Sequence, residues 1–184
     1  TRFGLFLIED FTLISVASAI ETLRMANRLM GTEFYRWRTI SETGEAVRAS
    51  DGLCISADRG IEDPDVFEGL DAIIVCGGRR VEKRVTDRAV FWLKRAASSG
   101  LQLGSTCTGS YVLARAGLLD GYACSVHWCY EAAFATELPD LDRRDVVTGR
   151  VRHHHHVLDV LHAADPVAAV VGVLHPADAQ GEAL

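Results

Sequence analysis

The stretch DAIIVCGG, Asp71 to Gly78, leaves a chain few ways to fold. Ala72 to Cys76 are all apolar, Ile73, Ile74 and Val75 are β-branched, and no polar residue interrupts them. A strand with one wet face alternates polar and apolar residues. One without alternation is covered on both faces, as a central strand of a parallel sheet is. The glycine pair ends it. Around this strand the chain repeats the theme: Arg2 to Ile8 is a short apolar run closed by Glu9-Asp10. Leu13 to Met30 then sets Val16, Ala19, Ile20, Leu23, Ala26 and Leu29 on one face at helical spacing. Phe34 to Ile40 alternates and reads as a second strand, and Val47 to Ile55, broken by Asp51-Gly52, reads as a hairpin-like excursion. Val81 to Ser98 is predicted as one helix with Val85, Ala89, Phe91, Trp92 and Ala96 inward; Gly100 stops it, and Leu101 to Gly104 is another short strand. Strands and helices alternating in this way imply an α/β sandwich on a parallel sheet.

A length of 184 residues suits one core, and neither a linker nor an internal repeat divides it, so residues 1–184 are read as a single domain. With 48% apolar and 24% charged residues, wholesale disorder is excluded. The net charge of -6, with Arg79, Arg80, Lys83 and Arg84 as the densest basic group, argues against a domain that grips nucleic acid by itself. Five cysteines without a CxxC pair read as reduced thiols and hence a cytoplasmic location. No apolar run approaches the roughly 18 to 20 residues that span a bilayer.

Chemistry concentrates in GSTCTGSYVLARAGLLDG, Gly104 to Gly121. Cys107 falls where a strand gives way to a helix, among the small residues Thr106, Thr108, Gly109 and Ser110 that a tight strand-to-helix turn needs. In an open α/β sheet ligands sit at such carboxyl ends. There a thiol is placed for attack or for contact with a bound anion. Equally, a free cysteine is often only a small buried hydrophobe.

The motifs VCGG (Val75 to Gly78), STCTGSYVLARAGLLDG (Ser105 to Gly121) and SVHW (Ser125 to Trp128) together resemble the DJ-1/PfpI superfamily, flavodoxin-like relatives of class I glutamine amidotransferases. The resemblance implies a three-layer α/β/α sandwich with a mainly parallel central sheet. Two branches share these motifs: isonitrile hydratase, and the sensor domain of GlxA-type AraC-family transcriptional regulators. FGLFLIEDFTLISVASAIETLRMANRLMG, FYRWRTIS and VRASDGLCI look like the regulator branch, including members that respond to choline-derived betaines or arginine. The resemblance runs from about Arg2 to Phe134.

It implies a small-molecule effector held by Ser15, Gly77, Gly78, Cys107, Thr108, Gly109, His127 and Trp128, with no cofactor and no metal. Cys107 and His127, twenty residues apart, are the catalytic candidates should the site be an enzyme. Gly77-Gly78 would present backbone N–H groups toward the cysteine. In the enzymes a carboxylate after the first strand handles the cysteine's proton; a gapless placement puts Ser15 there, and a serine cannot replace it as a general acid or base. Glu21, nearly two turns further along, reads as structural. Oxidation of Cys107 as a redox signal is a lesser third reading.

The resemblance also implies a homodimer, and DNA binding only through a helix-turn-helix region of roughly a hundred residues that follows the sensor in such regulators and is not in this chain. It fails over Asp145 to Leu184, where the expected Thr-Cys-Ala-Gly-Gly-like turn is missing. His153 to His156 lack metal-ligand spacing and read as a solvated loop, a tag remnant or a frame difference.

Overall fold

The computed structural model describes residues 1–120, 124–125, 127, 130–137, 143–144 and 172–173. In chain order the elements are β1 (Arg2–Leu7), α1 (Leu13–Met30), β2 (Arg36–Ser41), β3 (Val47–Arg48), β4 (Cys54–Ile55), β5 (Arg59–Gly60), β6 (Ala72–Cys76), α2 (Val81–Arg84), α3 (Asp87–Ser98), β7 (Gln102–Thr106), α4 (Gly109–Arg115), β8 (Cys124–Ser125), α5 (Glu131–Glu137), β9 (Arg143–Arg144) and β10 (Gly172–Val173). The main sheet runs β10-β7-β6-β1-β2-β5. Every pair in it is parallel except β10 with β7. The chain leaves β1 toward β2 and later returns to β6 on the other flank, so the direction of winding reverses at the β1–β6 boundary. In doubly wound sheets that switch point opens a crevice at the carboxyl ends.

Both faces of the sheet are covered. Phe3, Leu5 and Leu7 of β1 and Ala72, Ile74 and Cys76 of β6 join Val16 and Leu23 of α1 in one core cluster. Their neighbours Phe6, Ile73 and Val75 join Trp92, Leu93, Val112 and Leu113 from α3 and α4 in the other. Successive strand residues point to opposite faces. With a helix layer on each side, every position is apolar, which accounts for the unbroken run AIIVC.

α1 ends at Gly31, whose φ of 66° sets it in the left-handed region while its N–H closes on Arg28 and Asn27 carbonyls. The Asn27 amide then clamps Tyr35, donating to its carbonyl at 2.7 Å and accepting its N–H at 2.8 Å, which holds the chain that leads into β2.

Three sequence expectations are corrected. Val81 to Ser98 is two helices: Val85 is extended, and the Thr86 hydroxyl accepts the Ala89 N–H at 3.1 Å as the N-cap of a separate α3. Within α3, Ala89, Trp92, Leu93 and Ala96 face in and Phe91, off that face, is 65% exposed. Leu29, in the last turn of α1, is 81% exposed. The strand β5 was not foreseen, since a two-residue strand leaves no periodicity to detect. The hairpin expected over Val47 to Ile55 forms as the antiparallel pair β3–β4. Among the described residues no helix is long and apolar enough to cross a membrane. His153 to His156 and nearly all of the atypical segment after Asp145 lie outside the described residues.

Two outcomes follow from this packing. Ile73→Ala and Leu93→Ala each remove a fully buried side chain and should cost about 2–5 kcal/mol by urea denaturation, whereas Phe91→Ser should stay within about 0.5 kcal/mol. Burial pushes the Cys76 thiol from its ordinary 9.0 up to about 12. Below pH 9 both folded and unfolded chains keep that proton. Above it the unfolded thiol ionises first, so stability falls as pH rises, with a slope from this group of about 1.4 kcal/mol per pH unit. Cys76→Ala, less stable at neutral pH, should show a shallower alkaline decline.

Candidate functional site at the carboxyl ends of the central strands

Three adjacent strands, β1, β6 and β7, bring their carboxyl ends together, and each is followed at once by residues of the site. After β1 the chain turns through Asp10, a non-glycine residue at φ 64°, into Phe11, which bridges Ala49 on one side and Gly78 on the other. The Thr12 N–H donates to the Gly77 carbonyl at 3.0 Å, and the Arg79 N–H donates to the Asp10 carbonyl at 3.0 Å. The turn after β6 is thereby stitched to the turn after β1.

This stitching requires glycine. A Cβ on Gly78 would stand 2.0 Å from the Asp10 carbonyl oxygen, and one on Gly77 would stand 2.4 Å from the Gly109 nitrogen and 2.6 Å from the Thr108 hydroxyl. No side chain can be accommodated at such distances without moving backbone.

After β7 comes Cys107 at φ 54°. Left-handed backbone costs a non-glycine residue about 1–2 kcal/mol, and such strain persists where the surroundings over-determine it. Here the restraint comes from the next residue. Thr108 is buried and its hydroxyl donates to the Gly78 carbonyl at 2.8 Å, which pins the strand-to-helix turn against β6. The thiol is left half-buried.

The hydrogen bond of the Cys107 Sγ goes to the Thr12 hydroxyl, 3.3 Å away. Thr12 was not among the residues singled out from the sequence. Ser15 lies within the first turn of α1, half-buried, its N–H on the Thr12 carbonyl at 3.1 Å. The gapless placement singled out Ser15 on α1; the hydroxyl bonded to the thiol is that of Thr12, which precedes the helix. A search for a hydroxyl or carboxylate at the strand-to-helix junction itself would have found it.

The expected pair of glycine donors is corrected as well. The Gly77 N–H is used by the Thr106 carbonyl at 3.3 Å, because the β6–β7 ladder runs one step past the strand ends. The Gly78 N–H has no acceptor among the described residues. Among the described residues, one glycine N–H thus extends the ladder and the other is left without an acceptor. The hydroxyl of Ser110, three residues after Cys107, is buried without a partner among the described residues.

His127 is half-buried, and its carbonyl accepts the Tyr130 N–H at 2.8 Å. Trp128 lies outside the described residues. Glu21 forms an exposed pair with Arg24, which lowers its pKa, and takes no part in the site.

The comparisons with known proteins agree with this geometry. The transcriptional regulator GbdR of Pseudomonas aeruginosa is 52% identical over 136 residues, which is 74% of this chain and 36% of that protein. The regulator GlxA of Rhizobium meliloti is 34% identical over 145 residues, 78% of this chain and 44% of that protein. Both are described as HTH-type, and the chain spans less than half the length of either. Among solved structures, an AraC-family transcriptional regulator from Pseudomonas putida superposes with a TM-score of 0.68 at 29% identity, covering 79% of this chain and 75% of that one. The DJ-1/PfpI family model matches residues 5–153. With its parallel sheet, its glycine-stitched turns and its cysteine at the strand-to-helix junction, the chain belongs to the DJ-1/PfpI family.

Proposed function

We propose that this domain is the effector-sensing and dimerisation domain of an AraC-family transcriptional regulator, and that it holds a small metabolite over the Cys107 turn. The observation that carries the reading is the partner of the thiol. That partner is a threonine hydroxyl, neutral at every physiological pH, which cannot act as the general acid or base a cysteine enzyme needs. The site keeps what recognition needs: the half-buried thiol, the Thr12 hydroxyl and the Gly78 N–H. Its likeness to the HTH-type regulators GbdR and GlxA and to an AraC-family regulator structure supports the same reading. DNA would be reached through a helix-turn-helix region of the longer protein. A cytoplasmic location follows from that role.

Betaines, choline derivatives and amino acids, the effector classes that the resemblance implies, are the compounds to screen. A ligand at a hundred times its Kd stabilises the folded state by about 2.7 kcal/mol. One member of the panel should therefore raise the melting temperature by several degrees, and the gain should shrink in Thr12→Val, which keeps the volume and loses the hydroxyl. No response across the panel would remove the support for sensing.

The strained backbone at Cys107 favours one further reading, a cysteine-dependent enzyme of the hydratase, glyoxalase or amidase type, with Cys107 as nucleophile and His127 as its partner. The sensing reading expects no turnover of isonitriles, glyoxals or amides by the wild-type chain. Turnover abolished by Cys107→Ser would establish the enzyme instead.

A further inference from the structure

Helix α2 is a single turn of four residues, too short to hold itself together. Its position is set by what grips it. From the turn after β1, the Asp10 carboxylate accepts Arg84 Nε at 3.0 Å and Nη2 at 2.7 Å, with Arg80 at 3.9 Å. From the segment after His127, the Tyr130 hydroxyl accepts the Val81 N–H at 3.1 Å and donates to the Glu82 carboxylate. From the last turn of α4, Arg115 donates to the Val85 carbonyl at 3.0 Å. Each grip starts on a segment that carries a residue of the site: Asp10 is two residues before Thr12, Tyr130 three after His127, and α4 follows Cys107.

Two of the three described non-glycine residues at positive φ, Asp10 at 64° and Arg80 at 51°, are the two ends of one of these ties. The third is Cys107. Strain of this kind lasts only while the contacts that impose it last. The Asp10 side-chain tie is one of the contacts that hold this turn, beside the backbone bonds of Asp10 to Arg48 and Arg79, so opening it loosens the link between the two strained residues. Outward, the segment presents exposed Arg79, Arg80 and Lys83 on a chain whose net charge is -6.

We propose that α2 is a latch that reports the occupancy of the Cys107 site to this cationic surface, held shut by Asp10 on one side and Tyr130 on the other. The proposal rests on the sensing role. A group seated on the thiol displaces the Thr12 hydroxyl. The Thr12 backbone, bonded to Gly77, carries the shift to Asp10, and α2 loosens. Asp10 and Tyr130 are positioning residues that act through α2 and need not touch the effector.

Amide hydrogen exchange on the 184-residue chain tests this without any effector, so a failed ligand screen and a failed latch remain distinct results. In a background of Cys54→Ser, Cys124→Ser and Cys129→Ser, which leaves only Cys107 and the buried Cys76 as thiols, the site is filled either by carboxamidomethylation of Cys107 or by Cys107→Gln, whose side chain carries a similar amide. The amides of Val81, Lys83 and Val85 should exchange at least about tenfold faster in either filled form, while those of β6 and α3 stay protected. Asp10→Asn and Tyr130→Phe, made separately, should exchange fast in α2 from the start and respond less than about twofold to filling. Unchanged α2 exchange on filling overturns the latch. So does a uniform rise across the chain, which marks loss of the fold. A variant that speeds α2 but keeps the full response to filling overturns it too, since the tie would then be merely structural.

Discussion

The site depends on two backbones approaching where side chains would forbid it. Gly78 lies against the Asp10 carbonyl and Gly77 against the first residue of α4, and the space for a Cβ at either position is already filled by backbone atoms. Because these contacts join the ends of β1, β6 and β7, they set the distance between Thr12 and Cys107 and the path of the chain into α2. Hydrophobic burial holds the sheet and its helices together. Its lack of direction means that it cannot place a thiol within hydrogen-bond reach of one hydroxyl. The glycines and the hydrogen bonds across them supply that direction: Thr12 to Gly77, Arg79 to Asp10, Thr108 to Gly78.

What such a scaffold does is decided by a few groups placed on it. A cysteine held in left-handed backbone at a strand-to-helix turn is a geometry that nucleophilic catalysis uses. With a neutral hydroxyl as the thiol's hydrogen-bond partner, the same geometry offers a ligand a polar, half-buried contact. The ordered charge nearby lies at the neighbouring turn, where Asp10 gathers Arg84 and Arg80. Exposed ion pairs contribute little to stability. This pair is of interest for where it sits, between the thiol's turn and a one-turn helix.

Much of this was legible in the amino-acid order. The unbroken run Ala72 to Cys76 announced a strand covered on both faces, and the register of β6 between β1 and β7 matches that reading. Cys107, Thr108 and Gly109 stand at the strand-to-helix junction as their small size foretold. Other features were hidden for definable reasons. A helix pattern from Val81 to Ser98 did not reveal the break at Val85, because Thr86 is an acceptable helix residue until its hydroxyl finds the Ala89 N–H. Phe91 and Leu29 were expected inward and are exposed, and nothing in their local spacing marks which side of the stripe the core covers. Thr12 escaped notice because the partner of Cys107 is 95 residues away, and nothing local marks that distance.

The sequence by itself determined the elements, the parallel sheet and the turn that carries the cysteine. Those follow from periodicity and residue size, which act over a few neighbours. Tertiary structure alone decided which hydroxyl meets the thiol, which glycine N–H is left free, and which groups grip α2. Each of these is a contact between segments brought together only when the sheet assembles, so its partner is selected by the register of β1, β6 and β7 rather than by anything adjacent in the chain.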